Sequence, residues 1–209
     1  MKLLEDLKWR YATKKFDHNI EVSPEEIDVI KQSIQLAATS YGLQLFKVID
    51  VKNKSIREKL LPASWNQKQV IEASHLFVFC NYIDVEDINI DAYMKLKAEI
   101  QSLKIEDLKG YAGFIKDTLS AISQEKKQVW MAKQTYIALA NAMTACAALK
   151  IDSTPMEGFS PKSYSDILNL ESKGLQASLV LAVGYRSEED KTQYSKKVRK
   201  PIKDLFETI

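Results

Sequence analysis

Glycine is scarce in this chain: six in 209 residues, at positions 42, 110, 113, 158, 174 and 184. None of them forms a GxGxxG turn or a GxxxxGK loop, which excludes a Rossmann fingerprint and a P-loop. A nucleotide bound here would have to be gripped by side chains. Histidine and cysteine are scarcer still. His18 and His75 are the only histidines, and no Cys/His/carboxylate cluster has metal-ligand spacing, so no zinc or iron site is expected. Cys80 and Cys146 lie in apolar surroundings without a CxxC spacing, the pattern of two reduced core thiols in a cytoplasmic protein. Long apolar runs are absent: "LVLAV" at 179–183 is far too short to span a bilayer. The opening "MKLLEDLKWR" has no apolar h-region, so neither a secretory signal nor a membrane partner is expected. Charge of one sign is missing too. Thirty basic residues against twenty-eight acidic leave a formal charge of +2, whereas a nucleic-acid binder carries a strong basic excess.

What is present suits one sizeable domain over 1–209. Hydrophobic residues make up 45% of the chain, and no repeat, low-complexity segment or Pro/Gly/Ser-rich linker divides it. Leu3, Leu4 and Leu7 predict a helix over 2–9. The next helix start is marked by Ser23 as N-cap, Pro24 at the first helical position and Glu26 as capping-box partner. Val22 and Ile27 stand at the staple positions, and the helix is expected to run to about 38–42. "LFKVIDV" (45–51) reads as a strand, and "HLFVFCNY" (75–82) and "ASLVLAVGY" (177–185) as central strands covered on both faces. "WMAKQTYIALANAMTACAALK" (130–150) is apolar nearly all round. It predicts a helix buried on every side, shared with a subunit interface. A short strand is expected at 150–154, then a tight turn through Pro155 and Gly158, and a helix from Ser160 and Pro161. The tail, 187–209, is charged without a strong period and reads as a disordered end or an arm crossing a partner. The fold class is α+β, helices around a central sheet.

Four stretches carry candidate chemistry. "KWRYATKKFD" (8–17) packs Lys8, Arg10, Lys14 and Lys15 among Trp9, Tyr11 and Phe16. Its residues alone leave three readings open: a solvated basic face, a nucleic-acid-binding arm, or one wall of a site for an anionic, ring-bearing ligand. "ATSYGLQ" (38–44) is a small polar loop, "WNQKQV" (65–70) sets amides and a cation before a buried strand, and "TPMEGF" (154–159) is followed far downstream by "SKKVRKP" (195–201).

Together and in this order, "RYATKKFD", "TSYGLQ", "NQKQVIEASHLFVF", "WMAKQTY", "PMEGF" and "KKVRKP" resemble the FMN-dependent nitroreductase family, in particular its oxygen-insensitive NAD(P)H nitroreductases and dihydropteridine reductases. The likeness spans residues 10 to 201. It implies a nitroreductase-like fold with a central mixed sheet, an intertwined homodimer in which the tail packs on the partner subunit, and one FMN at each subunit interface. It also implies NAD(P)H as electron donor. Arg10, Lys197 and Arg199 match phosphate-binding positions, and guanidinium suits phosphate because its planar fork bonds two oxygens at once. Tyr11 and Ala12 fall in the same cofactor-binding segment, where Ala12 replaces the family's usual small hydroxyl residue. Lys14 matches the lysine at the pyrimidine edge of the flavin, where a cation stabilises the charge that arrives with a hydride. Asn66 matches an amide on that edge. Gln69 stands where related chains often carry lysine.

Thr39, Ser40, Tyr41 and Gly42 match a loop contributed by the other subunit, with Gly42 in place of a common asparagine. Gln134 matches a position near the ribityl chain. Pro155 and Met156 match the segment behind the ring, and a backbone N–H near Glu157 and Gly158 is expected to face N5. No catalytic side chain is assigned, Lys14 and Glu157 being the candidates. Tyr41, Trp65 and Phe114 are the expected substrate-facing aromatics. The implied activity is two-electron, ping-pong reduction of nitroaromatics or quinones. A specific reductase of another flat acceptor such as a dihydropteridine, or a flavin-storage protein with little turnover, are the alternatives.

Overall fold

In a computed structural model that describes all of residues 1–209, eight helices surround one four-stranded sheet. The helices are α1 (Lys2–Trp9), α2 (Pro24–Gln35), α3 (Lys54–Ala63), α4 (Gln69–Glu72), α5 (Asp87–Gln101), α6 (Lys109–Ser120), α7 (Gln124–Leu149) and α8 (Pro161–Leu168). The strands are β1 (Phe46–Asp50), β2 (His75–Tyr82), β3 (Asp152–Met156) and β4 (Leu175–Gly184), in the order β1-β2-β4-β3. The two long apolar runs are therefore the central pair. The sheet is not mixed, as expected, but antiparallel in all three pairings. Near-continuous apolar strands are the habit of parallel sheets because helices cover both faces of those. Here helices cover both faces of an antiparallel sheet, so the composition is the same.

Side-chain alternation divides the core. Leu76, Val78 and Cys80 of β2, with Val180 and Ala182 of β4, join Leu60, Val70 and Tyr164 from α3, α4 and α8 on one face. Phe77 and Phe79, with Leu179, Leu181 and Val183, join Ile27, Ile30 and Ile34 of α2 and Ala138, Leu139, Ala142 and Cys146 of α7 on the other. A third cluster, around Met94, Ile115 and Met131, ties α5 and α6 to the start of α7.

The capping box at Ser23 and Glu26 forms, and Val22 and Ile27 are both buried. The helix stops at Gln35, before 38–42, because the chain turns there into a short 3-10 segment, Ser40–Gly42. The strand expected at 150–154 is shifted by two residues. Lys150 caps α7 in the left-handed conformation, and Pro155 sits on the edge strand, where a missing N–H costs nothing. Helix α7 is not buried all round in the single chain. Val129, Tyr136 and Ile137 lie on one exposed stripe, while Met131, Gln134, Thr135 and Ala138 face inward. The tail forms two short 3-10 turns, Lys191–Tyr194 and Ile202–Asp204, and presents Val198, Ile202, Leu205 and Phe206 to solvent.

The N-terminal segment is held by long-range contacts. Ala12 makes a parallel bridge to Ser153 of β3, and Phe16 an antiparallel bridge to Arg186. Thr13 donates to Asp152 at 3.2 Å, and Thr154 returns a bond to the Thr13 carbonyl at 2.6 Å. Asp190, buried, accepts from the Lys14 N–H at 2.7 Å, the Thr192 N–H at 2.9 Å, the Tyr11 hydroxyl at 3.0 Å and the Lys15 N–H at 3.3 Å. Burial alone would raise this carboxyl, but the backbone donors and the tyrosine outweigh it and hold it below the ordinary carboxylate range.

A group whose pKa is depressed by folding stabilises the fold above its unfolded pKa, about 3.9 for Asp, and loses that contribution as pH falls through the lower folded value. Asp190→Asn is therefore expected to lower stability at neutral pH by about 2 kcal/mol, the scale of hydrogen bonds to a charged group. The deficit should shrink below about pH 4. Denaturant titrations of both proteins at pH 7 and pH 3.5 check this, and a deficit independent of pH would contradict the assignment.

Candidate functional site

The cations of the opening segment have separate fates. Lys15 pairs with Glu189 at 3.1 Å on the surface. Arg186, bonded through two nitrogens to buried Asp152, lies between the Trp9 and Tyr11 rings, at 4.4 and 4.6 Å from their centroids. These two aromatics therefore hold a structural arginine, and Phe16 belongs to the core. Lys8, exposed on α1, and Arg10 and Lys14 remain without counter-ions.

Arg10 meets the tail. Lys197 donates to the carbonyls of Leu7 and Arg10, and Arg199 lies close enough to act on Arg10 electrostatically. Arg10, Lys197 and Arg199, from opposite chain ends, so form one cluster. Its members take part in none of the chain's ion pairs. Burial, and after it the charge of Arg199, lowers the Arg10 guanidinium; burial, then Arg10 and Arg199, lowers the Lys197 ammonium. The Arg10 Nε is buried with no hydrogen-bond partner. Three mutually repelling cations with an orphaned donor fit a dianion such as a phosphate group, which would supply both the missing acceptor and the missing charge.

Lys14 lines a cavity of about 800 Å³ with Asn66, Gln67, Lys68 and Gln69 from the turn before β2. Phe16, Asp17, His18, Asn19, Glu72, Ser187 and Glu189 also border it. Gln69, at the first position of α4, is 94% buried (6% exposed), yet its side-chain amide makes no hydrogen bond to the protein. The amide is thus free to meet a ligand that enters the cavity. Trp65 and Asn66 enter this turn with left-handed φ values of 52° and 57°. Trp65 stays 71% exposed, its ring against Gly158.

The remaining candidates divide in two. Pro155 and Met156 end β3 beside the segment carrying Ala12, and Glu157 and Gly158 follow. Glu157 accepts a bond of 2.6 Å from Tyr136 on α7. Thr39, Ser40, Tyr41 and Gly42 lie elsewhere. Gln134 accepts from the Ser40 N–H at 2.9 Å, so this buried amide holds the loop. Tyr41, at φ 57°, packs edge-on to Phe114 of α6 and also against Trp130, centroids 6.4 and 6.3 Å apart. Gly42 has φ 77°, and a Cβ there would fall 2.5 Å from the Tyr93 hydroxyl. No hydrogen bond or ring contact joins this group to Lys14, Asn66 or Trp65 within one chain. Of the expected substrate aromatics, Tyr41 and Phe114 come together and Trp65 does not join them.

Sequence reasoning missed Asp190, Arg186, Gln67 and Tyr136. Asp190 stands in "SEEDK", where three acids in a row give no sign that one is buried. Gln67 and Tyr136 lie inside quoted motifs but carry no charge to single them out.

The model of the nitroreductase family matches residues 7–185. Over 99% of this chain and 97% of its own length, the provisionally named NAD(P)H nitroreductase YfkO of Bacillus subtilis is 33% identical. The major NAD(P)H-flavin oxidoreductase of Aliivibrio fischeri is 29% identical over 98% of this chain and 97% of its own. A crystal structure from Exiguobacterium sibiricum, described as a nitroreductase in complex with FMN, superposes with a TM-score of 0.84 at 18% identity, covering 99% and 97% of the two chains. A Staphylococcus epidermidis structure, provisionally assigned as an NAD(P)H:FMN oxidoreductase, reaches 0.87 at 21% identity over 99% and 95%. The two structures speak for the fold alone, the family match and YfkO for descent: the chain belongs to the nitroreductase family.

Proposed function

We propose that this protein is an FMN-dependent NAD(P)H oxidoreductase that reduces flat, electron-poor acceptors such as nitroaromatics and quinones by two-electron, ping-pong transfer. The observation that carries this reading is the counter-ion-free cluster of Arg10, Lys197 and Arg199 with its orphaned Nε. The relatives named for NAD(P)H and the FMN-bound neighbour support the choice of cofactor and donor. FMN, when bound, supplies the redox chemistry, taking a hydride from the nicotinamide and passing two electrons to the acceptor.

The protein's own part is to bind, orient and restrict. Arg10, Lys197 and Arg199 hold the phosphate. Lys14 keeps a positive charge beside the pyrimidine edge, and Asn66 and Gln69 hydrogen-bond that edge. Pro155 and Met156 back the ring. No side-chain acid or nucleophile is needed, and Glu157, already bonded to Tyr136, serves structure. Tyr41 and Phe114 complete the acceptor pocket from the other subunit of a homodimer, opposite Trp65. The exposed stripe of α7 and the apolar tail residues Val198, Ile202, Leu205 and Phe206 support that assembly, with the tail lying on the partner. Chains split between two subunits would also account for the separation of the two residue groups.

The protein is expected to purify yellow as a dimer. A colourless protein that takes up no FMN would remove the functional reading, and a stable FMN-loaded monomer in sedimentation would remove the shared site. Stopped-flow reduction by NAD(P)H separates the enzyme from a storage protein, which would reduce slowly. Arg10→Ala and Arg199→Ala should each weaken FMN binding about tenfold or more, since a charged hydrogen bond contributes about 1.5–3 kcal/mol. Unchanged affinity in both would move the phosphate elsewhere.

Gln69 leaves the pyrimidine edge with one cation, Lys14. Adding a partly screened charge there contributes about 1 kcal/mol, which for two electrons is about 20 mV. Gln69→Lys should raise the FMN potential by that amount and Lys14→Ala should lower it at least as far. Potentiometric titration decides. A potential that moves with Lys14 but not with Gln69 would take Gln69 off the flavin edge.

A further inference from the structure

The turn at residues 64–67 closes helix α3. Trp65 and Asn66 sit in the left-handed region, and the Trp65 N–H donates to the Pro62 carbonyl at 3.2 Å and the Asn66 N–H to the Leu61 carbonyl at 3.0 Å, so the turn satisfies the last carbonyls of the helix. The indole is left mostly exposed. The turn lays Trp65 and Gln67 directly against Gly158: a Cβ there would lie 2.8 Å from the indole Cζ3 and 3.0 Å from the Gln67 Nε2.

Gln67 then joins the two segments. Its amide nitrogen donates to the Ser64 carbonyl at 3.2 Å and to the Gly158 carbonyl at 2.8 Å, so one NH₂ group spans the turn and the loop. The loop is fixed elsewhere without it. The Ser160 N–H donates to the Ala63 carbonyl at 2.8 Å, and buried Phe159 packs on Tyr164 with centroids 4.6 Å apart. The Phe159 N–H closes on the Glu157 carbonyl at 2.9 Å, and Tyr136 holds the Glu157 carboxylate from the far side. Stability of the loop thus has its own anchors. Gln67 adds control over one carbonyl, at the residue next to Glu157, while its side chain also borders the Lys14 cavity.

We infer that Gln67 is a positioning residue: through the Gly158 carbonyl it sets the orientation of the Glu157–Gly158 backbone toward the bound flavin ring, and Tyr136 steadies the same backbone from the α7 side. This rests on the FMN reading above. The peptide groups of residues 157–159 are rigidly dipolar, so a rotation there changes the field at the ring without touching the phosphate cluster.

The test compares wild type with Gln67→Glu and Gln67→Met in the FMN-loaded protein. Glutamate has the same shape but sets an acceptor against two carbonyls. Methionine removes the donor without adding charge, so an effect common to both belongs to the lost bond. Both variants are expected to bind FMN within about threefold of wild type, because Arg10, Lys197 and Arg199 are untouched. Both should shift the visible absorption band of the bound flavin and slow its reduction at saturating NAD(P)H at least tenfold, with little change in the concentration that half-saturates. Tyr136→Phe should shift the band in the same direction by a smaller amount, and because it removes only the hydroxyl that bonds Glu157 it is the control if a Gln67 variant does not fold. FMN-loaded variants with wild-type spectrum and reduction rate would overturn the inference. So would variants that lose FMN and thermal stability together while Tyr136→Phe matches wild type, since Gln67 would then serve the fold alone. A wild-type protein that takes up no FMN would instead defeat the functional reading, and the inference with it.

Discussion

One buried carboxylate decides where the chemistry of this chain can stand. The segment from Arg10 to Phe16 is neither helix nor full strand and makes only single bridges at Ala12 and Phe16. Asp190 gathers two of its N–H groups and the Tyr11 hydroxyl, and the same carboxylate caps the following turn at Thr192. With that anchor in place, Lys14 faces the cavity, Arg10 faces the tail and Phe16 enters the core. Asp152 repeats the device one layer deeper, binding Arg186 and the Thr13 hydroxyl. An acceptor left unsatisfied at either place would cost as much as several surface ion pairs contribute.

Around that anchor the structure keeps three kinds of cost unresolved within a single chain. The first is electrostatic: Arg10, Lys197 and Arg199 repel one another, and a donor of Arg10 has no acceptor. The second is conformational, with Tyr41 in the left-handed region. Folding alone selects against both. They are retained where side chains of unlike origin converge on the same cavity or loop, which is how binding sites differ from core. The exposed stripe of α7 is a third unresolved term, apolar surface that a single chain leaves wet.

Much of the architecture was legible because it is local. Ser23, Pro24 and Glu26 cap a helix by contacts within four residues, and the apolar runs of β2 and β4 can only be covered strands. The meeting of Arg10, Lys197 and Arg199 was legible only through the family likeness, since Arg10 and Arg199 stand at opposite ends of the chain with no local signal to pair them. The antiparallel sense of the sheet was not legible, because strand direction depends on the path of the connections and not on strand composition.

The amino-acid sequence by itself determined the first two helices, the central strands and the long α7, and the family to which the chain belongs. These follow from periodicity, capping and motif order, all properties of residues near one another. Only the tertiary structure decided which acids and cations have partners. Asp190 and Lys14 are 176 residues apart, Gln67 and Gly158 are 91. Whether a charge is solvated, paired or left bare for a ligand depends on what the fold brings within about 3 Å of it, and no local pattern encodes that.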